Sequence, residues 1–156
     1  MLNLEFNKGE NNMGTLNTDH LLQCIKTLES SIERLKAAKP DSLDYEIFRN
    51  ATVKGFELTL ETSGKLLRKA LKAFISTPRT VDELTYKDLF RHASKHGLLE
   101  SAAVERWFLY RDNRNDTAHD YGISFAKTTL KLLPDFLKDA KDLQKILQTK
   151  LGASHA

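Results

Sequence analysis

Residues 18–39 read TDHLLQCIKTLESSIERLKAAK, and this stretch decides the fold class. Its aliphatic side chains recur at alternating steps of four and three residues, which places them on one face of an α-helix. Thr18 is placed to cap the start of this helix, and Pro40 stops it. The apolar face consists of Leu21, Ile25, Leu28, Ile32 and Leu35. Other helices are needed to bury such a face.

Further helical segments follow along the chain. Residues 43–75 carry aromatic and aliphatic side chains at helical spacing. A short helix begins after Thr85, which resembles the first residue of a capping box, and ends at Gly97 in a left-handed cap. A fourth helix begins near Ser101, and a last one spans residues 124–151. No segment alternates polar and apolar residues as a strand would, so we predict an all-α, up-and-down bundle of four to five helices.

Length and composition favour a single intracellular domain. The chain has 156 residues, of which 40% are apolar and 29% are charged, as expected for one globular domain. We assign residues 17–151 to this domain, and residues 1–16 and 152–156 to flexible tails, with Met13 as an alternative start. One cysteine, Cys24, cannot form an internal disulfide, which favours a reducing compartment. No run of about 18 apolar residues exists to span a membrane, so we expect a cytoplasmic protein.

One polar segment is a candidate functional site rather than a simple connection between helices. Residues 111–122 read RDNRNDTAHDYG, and Ala118 is their only aliphatic residue. Because Asn and Asp side chains compete for backbone hydrogen bonds, we expect the helix to break after Asn113. On an uninterrupted helix Arg114 and His119 would lie about 140° apart. A break would let both side chains converge on one cleft.

The side chains of this segment suit phosphate chemistry. Histidine is the residue type whose unperturbed pKa lies near neutral pH, so His119 could take or deliver a proton. Arg114 offers a planar fork of donors that matches a phosphate and the charge that develops on it. Tyr121 adds a hydroxyl two residues further on. An arginine, a histidine and a hydroxyl suffice for metal-free RNA cleavage, in which the RNA 2′-OH attacks its own phosphate. A net charge of +3 permits RNA binding without requiring it.

The spacing of Arg114, four residues, His119, one residue and Tyr121 resembles the motif of the HEPN superfamily, as found in HepT-type toxins. These are also called nucleotidyltransferase substrate-binding proteins. Asn115 matches the polar residue that usually follows the arginine. Residues 49–61, RNATVKGFELTLE, are similar to the Phe-Glu segment of the family's long second helix. The resemblance covers roughly residues 18–150.

Gly64 departs from the family pattern, since many members carry Trp before the Lys at this place. A glycine inside a helix costs about 1 kcal/mol relative to alanine, which favours a close backbone approach at Gly64. The departure leaves the fold prediction unchanged and concerns the local packing or a partner contact.

The resemblance implies a homodimer whose two motifs face one cleft. It implies a metal-independent endoribonuclease without a cofactor, in which Arg114 and His119 cut RNA. We expect Asn115 and Arg111 to position the RNA. The resemblance further implies a type VII-like toxin–antitoxin pair, in which a minimal nucleotidyltransferase neutralises the toxin by adding AMP to Tyr121. Considered from the residues alone, Arg111 is a third cation of the cleft or a solvated helix end.

The residues of the polar segment also permit two other interpretations. The polar segment could be a surface loop in which Arg114 pairs with Asp116 or Asp120, in a scaffold protein without activity. The same motif could also clamp a nucleotide phosphate in a non-catalytic substrate-binding subunit of a two-component nucleotidyltransferase.

Two other groups of side chains have the spacing of a possible binding site. A basic helical face could follow an RNA backbone or simply be solvated. It consists of Lys65, Arg68, Lys69 and Lys72. Asp88, His92 and His96 share a helical face at metal-ligand spacing but lack the third ligand of a recognised zinc motif. We predict no metal site.

Overall fold

The computed structural model describes residues 15–117 and 123–152. Within these ranges the chain forms six α-helices and no strand, which confirms the all-α class. The helices are α1 (Asp19–Ala37), α2 (Leu43–Leu71), α3 (Pro78–Asp82), α4 (Tyr86–Lys95), α5 (Ser101–Thr117) and α6 (Ile123–Leu151). The described part has one helix more than the four to five that we expected, because Pro78 opens the single short turn of α3.

Helices α1 and α2 form a hairpin. The backbones approach closely at Gly55, where an added Cβ would lie 3.1 Å from Leu28 Cδ1. The apolar face of α1 packs against α2 and α6 as its spacing predicts, with four of its five members buried and Ile32 half-buried. Ser42 caps α2 by accepting a hydrogen bond from the backbone N–H of Tyr45 at 3.0 Å.

The predicted capping role of Thr18 is wrong. Its buried hydroxyl donates to Gln148 Oε1 at 2.9 Å and accepts from Gln144 Nε2 at 3.0 Å, so α6 engages it. Asn17 accepts instead from the backbone N–H of Asp19 at 2.8 Å. The local sequence indicated the right place for the helix start but the wrong side chain.

Side chains at the end of α2 bind the short helix α3 that follows. The helix ends at Leu71, four residues before the predicted end at residue 75. Arg68 Nη1 donates to the carbonyl oxygen of Val81 at 2.7 Å, and Lys72 Nζ lies 2.8 Å from Asp82 Oδ1. Two cations of the basic face therefore stabilise the connection to α3.

An aromatic cluster joins α2, α4, α5 and α6 in the core. Phe90 stacks on Trp107 with ring centroids 4.9 Å apart, and Phe56 meets Phe136 edge-on at 4.8 Å. Tyr110 packs edge-on against both Trp107 and Phe136. The cluster fixes the rotation of α5, and with it the direction of the arginines in its last two turns.

The inner edges of the two predicted tails contact each other. The backbone N–H of buried Leu16 donates to the carbonyl oxygen of Leu151 at 2.6 Å, and Leu16 forms a β-bridge with Gly152. The other residues of the tails, Met13 among them, lie outside the described residues apart from Thr15, and the domain limits stay a prediction. Of the helices described, none is both long enough and apolar enough to cross a membrane.

Candidate functional site

The helix break predicted after Asn113 is wrong, since α5 continues to Thr117. Asn113 is 6% exposed, and its Nδ2 donates to Thr129 Oγ1 of α6 at 3.0 Å. Because α6 holds this amide, it does not compete for the backbone hydrogen bonds of α5. Arg114 therefore projects from a regular helix.

Arg114 meets the second family segment across the helix interface. Its Nε lies 3.5 Å from Glu57 Oε2, with the two side chains 33% and 14% exposed. Phe56, the residue before Glu57, is fully buried in the aromatic cluster and fixes the position of this carboxylate on α2. The two stretches on which the resemblance depends, 57 residues apart in sequence, thus lie next to each other in the fold.

The contact between Arg114 and Glu57 is loose for an arginine–carboxylate pair. Charge-assisted bonds of this type are usually shorter, at about 2.7–2.9 Å, and often engage two nitrogens. Among the described side chains, only Glu57 lies within ion-pair distance of Arg114. Within the described ranges, no other carboxylate engages the remaining donors of the fork. The alternative partners Asp116 and Asp120 have side chains outside the described part.

Arg111 lies three residues before Arg114 and is held differently. Its guanidinium carbon lies 4.6 Å from the centre of the Tyr86 ring. That ring fills the space at Gly64, where an added Cβ would lie 2.9 Å from Tyr86 Cε2. A close approach does occur at Gly64, but the side chain of Tyr86 at the start of α4 makes it rather than another backbone.

The hydroxyl of Tyr86 is buried and has no hydrogen-bond partner among the described groups. Burial raises the pKa of this hydroxyl above its usual value, and the charge of Arg111 opposes the rise. Tyr86 therefore stays neutral and contributes to the site through the face of its ring.

A second half-buried ring, that of Phe108, lies on the same helix pair. Lys87 Nζ and the guanidinium carbon of Arg91 lie 5.3 and 4.9 Å from the centre of the Phe108 ring. Lys87 also lies 3.4 Å from Asp112, and Arg91 lies 2.9 Å from Asp88. Acidic neighbours thus compensate both cations at this surface.

The residues considered for a metal have other contacts. The Thr85 hydroxyl accepts from the backbone N–H of Asp88 at 3.2 Å, as the cap predicts, and hydrogen bonds from Thr85 and Arg91 lower the pKa of the Asp88 carboxyl. His96 stacks on Phe74 with centroids 5.3 Å apart. In the part of the chain that is described, no three acidic, histidine or cysteine side chains come together as a metal would require.

The remaining predicted site residues are not described in side-chain detail. Asn115 belongs to α5, but its side chain falls outside the described part. His119 and Tyr121 lie in the undescribed range 118–122. The convergence of His119 on Arg114 stays a prediction. The sequence did not predict the involvement of Glu57 or Tyr86, although the Phe-Glu segment pointed to the neighbourhood of Glu57.

Comparison with known proteins identifies the class of protein that this bundle represents. The model of the family described as nucleotidyltransferase substrate binding protein like matches residues 16–149, and the chain belongs to this family. A Haemophilus influenzae protein named probable ribonuclease HepT is 24% identical over 139 residues, which cover 86% of this chain and 94% of that protein.

A solved structure from Haemophilus influenzae has the same fold. It is described as revealing the fold of a substrate binding domain of a nucleotidyltransferase, and it is similar with a TM-score of 0.76. The match covers 85% of this chain and 99% of that chain at 23% identity. The family and the fold predicted from the sequence are both confirmed.

Proposed function

We propose that the chain is a metal-independent endoribonuclease of the toxin type, in which Arg114 and His119 cut RNA. The contact between Arg114 and Glu57 carries the proposal, because it joins the two sequence segments that resemble the HEPN superfamily. The relative named probable ribonuclease HepT supports ribonuclease activity.

The proposed reaction is an internal transfer. The RNA 2′-oxygen attacks the adjacent phosphorus while His119 takes the 2′-hydroxyl proton. The bond from phosphorus to the 5′-oxygen breaks, and the proton returns to that leaving oxygen. The products are a 2′,3′-cyclic phosphate and a 5′-hydroxyl. Arg114 stabilises the negative charge that develops on the phosphate oxygens, and Glu57 orients the guanidinium.

The remaining assignments extend the same proposal. Asn115 and Arg111 position the RNA, and a homodimer places two motifs at one cleft. A nucleotidyltransferase partner neutralises the toxin by transferring AMP from ATP to the Tyr121 hydroxyl, with diphosphate as the leaving group. The family's description as nucleotidyltransferase substrate binding supports association with such an enzyme.

The test is RNA cleavage by the purified chain in the presence of EDTA. We expect His119→Ala and Arg114→Ala each to lower kcat/KM at least about 100-fold, since each removes a group that acts in the transition state. Circular dichroism checks that the helices persist, and Arg91→Ala serves as a matched control on the neighbouring helix. Products with a 2′,3′-cyclic phosphate support the internal route. Undiminished cleavage by both variants contradicts the proposal.

A second candidate function is a non-catalytic subunit that presents a substrate to a nucleotidyltransferase. The family description and the solved relative from Haemophilus influenzae favour it. This function predicts a tight complex with the nucleotidyltransferase and no RNA cleavage by the native chain at any concentration. The EDTA assay on the native chain separates the two functions.

A further inference from the structure

We propose that Tyr86 is a positioning residue that holds the guanidinium of Arg111, through its ring face, in place to bind an RNA phosphate beside Arg114. The proposal rests on the proposed function for the presence of RNA at this site. It assigns roles to Tyr86 and Gly64, which lie outside the sequence motif.

A stack of aromatic rings leads from the core to Arg111. The ring centroids of Trp107 and Phe90 are 4.9 Å apart in a stacked arrangement, and those of Phe90 and Tyr86 are 4.8 Å apart with the rings tilted by 35°. Arg111 lies on the outer end of this stack, 4.6 Å from the Tyr86 centroid. Because Trp107 and Phe90 are buried, the last ring has a fixed platform beneath it.

Gly64 is what allows the ring to lie there. A Cβ on residue 64 would approach Tyr86 Cε2 to 2.9 Å, closer than side-chain carbons pack. A residue larger than glycine would displace the ring from α2. Gly64 and Tyr86 therefore act together. Glycine stabilises a helix less than alanine does, but at residue 64 it leaves the space that the Tyr86 ring occupies.

Stacking leaves Arg111 available to an anion. A cation–π contact uses the face of the guanidinium, whereas its N–H donors point outward in the plane. Among the described residues, no carboxylate lies within ion-pair distance of Arg111, in contrast to Arg114 with Glu57. Residues three apart lie on the same side of a helix, so the two forks can reach neighbouring phosphates of one RNA strand.

The experiment measures binding rather than cleavage. Full-length chain is titrated, with EDTA present, into a fluorescent 2′-O-methyl RNA, which cannot react through its 2′-oxygen, and anisotropy gives Kd. We expect Arg111→Lys to weaken binding about five- to tenfold although the charge is kept, because lysine lacks the planar face that stacks. Tyr86→Leu should weaken binding to a similar extent. Tyr86→Phe keeps the ring and should restore near-native binding.

Two further variants test the coupling. Gly64→Ala should weaken binding by displacing the ring. Adding Tyr86→Leu to Arg111→Ala should have no further effect, since the ring acts only through the guanidinium. Arg91→Lys is the control, because the guanidinium of Arg91 also lies over a ring, that of Phe108 at 4.9 Å, but pairs with Asp88 and is not part of the motif.

The inference is overturned if Arg111→Lys binds as tightly as the native chain. It is also overturned if the losses from Tyr86→Leu and Arg111→Ala add, or if Arg91→Lys weakens binding equally. These outcomes remain readable if Tyr86→Leu unfolds, because Arg111→Lys and Tyr86→Phe change no buried apolar group. A native chain that binds this RNA with the expected coupling but cuts no RNA would refute the nuclease proposal and leave the inference standing.

Discussion

Helix α5 carries arginines at both ends, and the protein engages them in opposite ways. Near its start, Arg106 donates through Nε and Nη2 to both oxygens of Asp139, at 2.8 and 2.9 Å. The Tyr110 hydroxyl donates to the same carboxylate at 2.5 Å, and Asp139 is only 4% exposed. Near its end, Arg114 has one 3.5 Å contact with Glu57, and Arg111 lies on a ring.

The difference distinguishes an arginine that stabilises the fold from the two arginines that we propose bind RNA. A guanidinium whose fork is occupied by a buried carboxylate stabilises the helix interface and has few donors left for a ligand. A guanidinium that has one long contact with a carboxylate, or that lies with its face on an aromatic ring, still has N–H donors that can bind a ligand. Stability and activity should therefore depend on different residues of the same helix, and the following substitutions test this.

The largest effect on stability is expected for Asp139→Asn. The change leaves Arg106 without its charged partner at a site where the carboxylate is buried, and we expect a loss of about 3 kcal/mol in the free energy of unfolding. Urea unfolding followed by circular dichroism measures it. Glu57→Gln is the matched control at the other end of α5, with an expected loss below about 1 kcal/mol. Similar losses for both variants would show that Asp139 and Glu57 contribute equally to stability.

The next largest effect on stability is expected for Tyr110→Phe. The hydroxyl donates to a charged carboxylate inside the core, and such bonds contribute about 1.5–3 kcal/mol. We expect the free energy of unfolding in urea to fall by about 1.5 kcal/mol, because Arg106 still donates to Asp139 in the variant. RNA cleavage should be unchanged, and a loss of cleavage at full stability would show that the two ends of α5 are coupled.

The effect of Glu57→Gln on activity complements its small effect on stability. Without the carboxylate, Arg114 loses the contact that orients it, and we expect kcat/KM for RNA to fall about tenfold. The steady-state rate on a defined RNA measures this. Arg106→Lys, which alters the other end of α5, should leave the rate within about twofold. An unchanged rate for Glu57→Gln would mean that Glu57 does not orient Arg114 for the reaction.

The features that the sequence alone predicted correctly are those that depend on residues close together in the chain. Helical periodicity identified the apolar face of α1, and turn chemistry placed the Thr85 cap and Gly97, whose φ is +75°. These features depend on neighbours within a few residues. They were predictable because local geometry and composition determine them.

The wrong predictions concern side chains whose hydrogen-bond partners are distant in the sequence. Thr18 was expected to cap α1, but its partners lie 126 and 130 residues away on α6. Asn113 was expected to break α5, but Thr129 of α6 binds its amide. Likewise, nothing in the local sequence of Arg114 points to Glu57. The resemblance identified both segments, whereas their adjacency is a property of the packed bundle.

The smallest effect on stability is expected for removal of the Tyr86 hydroxyl. The Tyr86 hydroxyl is buried and has no hydrogen-bond partner among the described groups, so removing this hydroxyl breaks no hydrogen bond within them. We expect Tyr86→Phe to raise the free energy of unfolding by about 0.5 kcal/mol at pH 7, since an unpaired buried hydroxyl is costly. Urea unfolding alongside Tyr110→Phe compares the two hydroxyls directly. A loss as large as that of Tyr110→Phe would mean that the Tyr86 hydroxyl has a partner.

The pH dependence of this difference gives an independent check. Burial raises the pKa of both tyrosines, so the folded chain keeps their protons above pH 10 while the unfolded chain releases them. Folding stability therefore falls as pH rises through about 10, by up to about 1.4 kcal/mol per pH unit for each tyrosine. Tyr86→Phe removes one of the two contributions, and its advantage over the native chain should widen from pH 9 to pH 11. A constant gap across that range would show that the Tyr86 hydroxyl ionises in the folded protein as it does in water, which its burial contradicts.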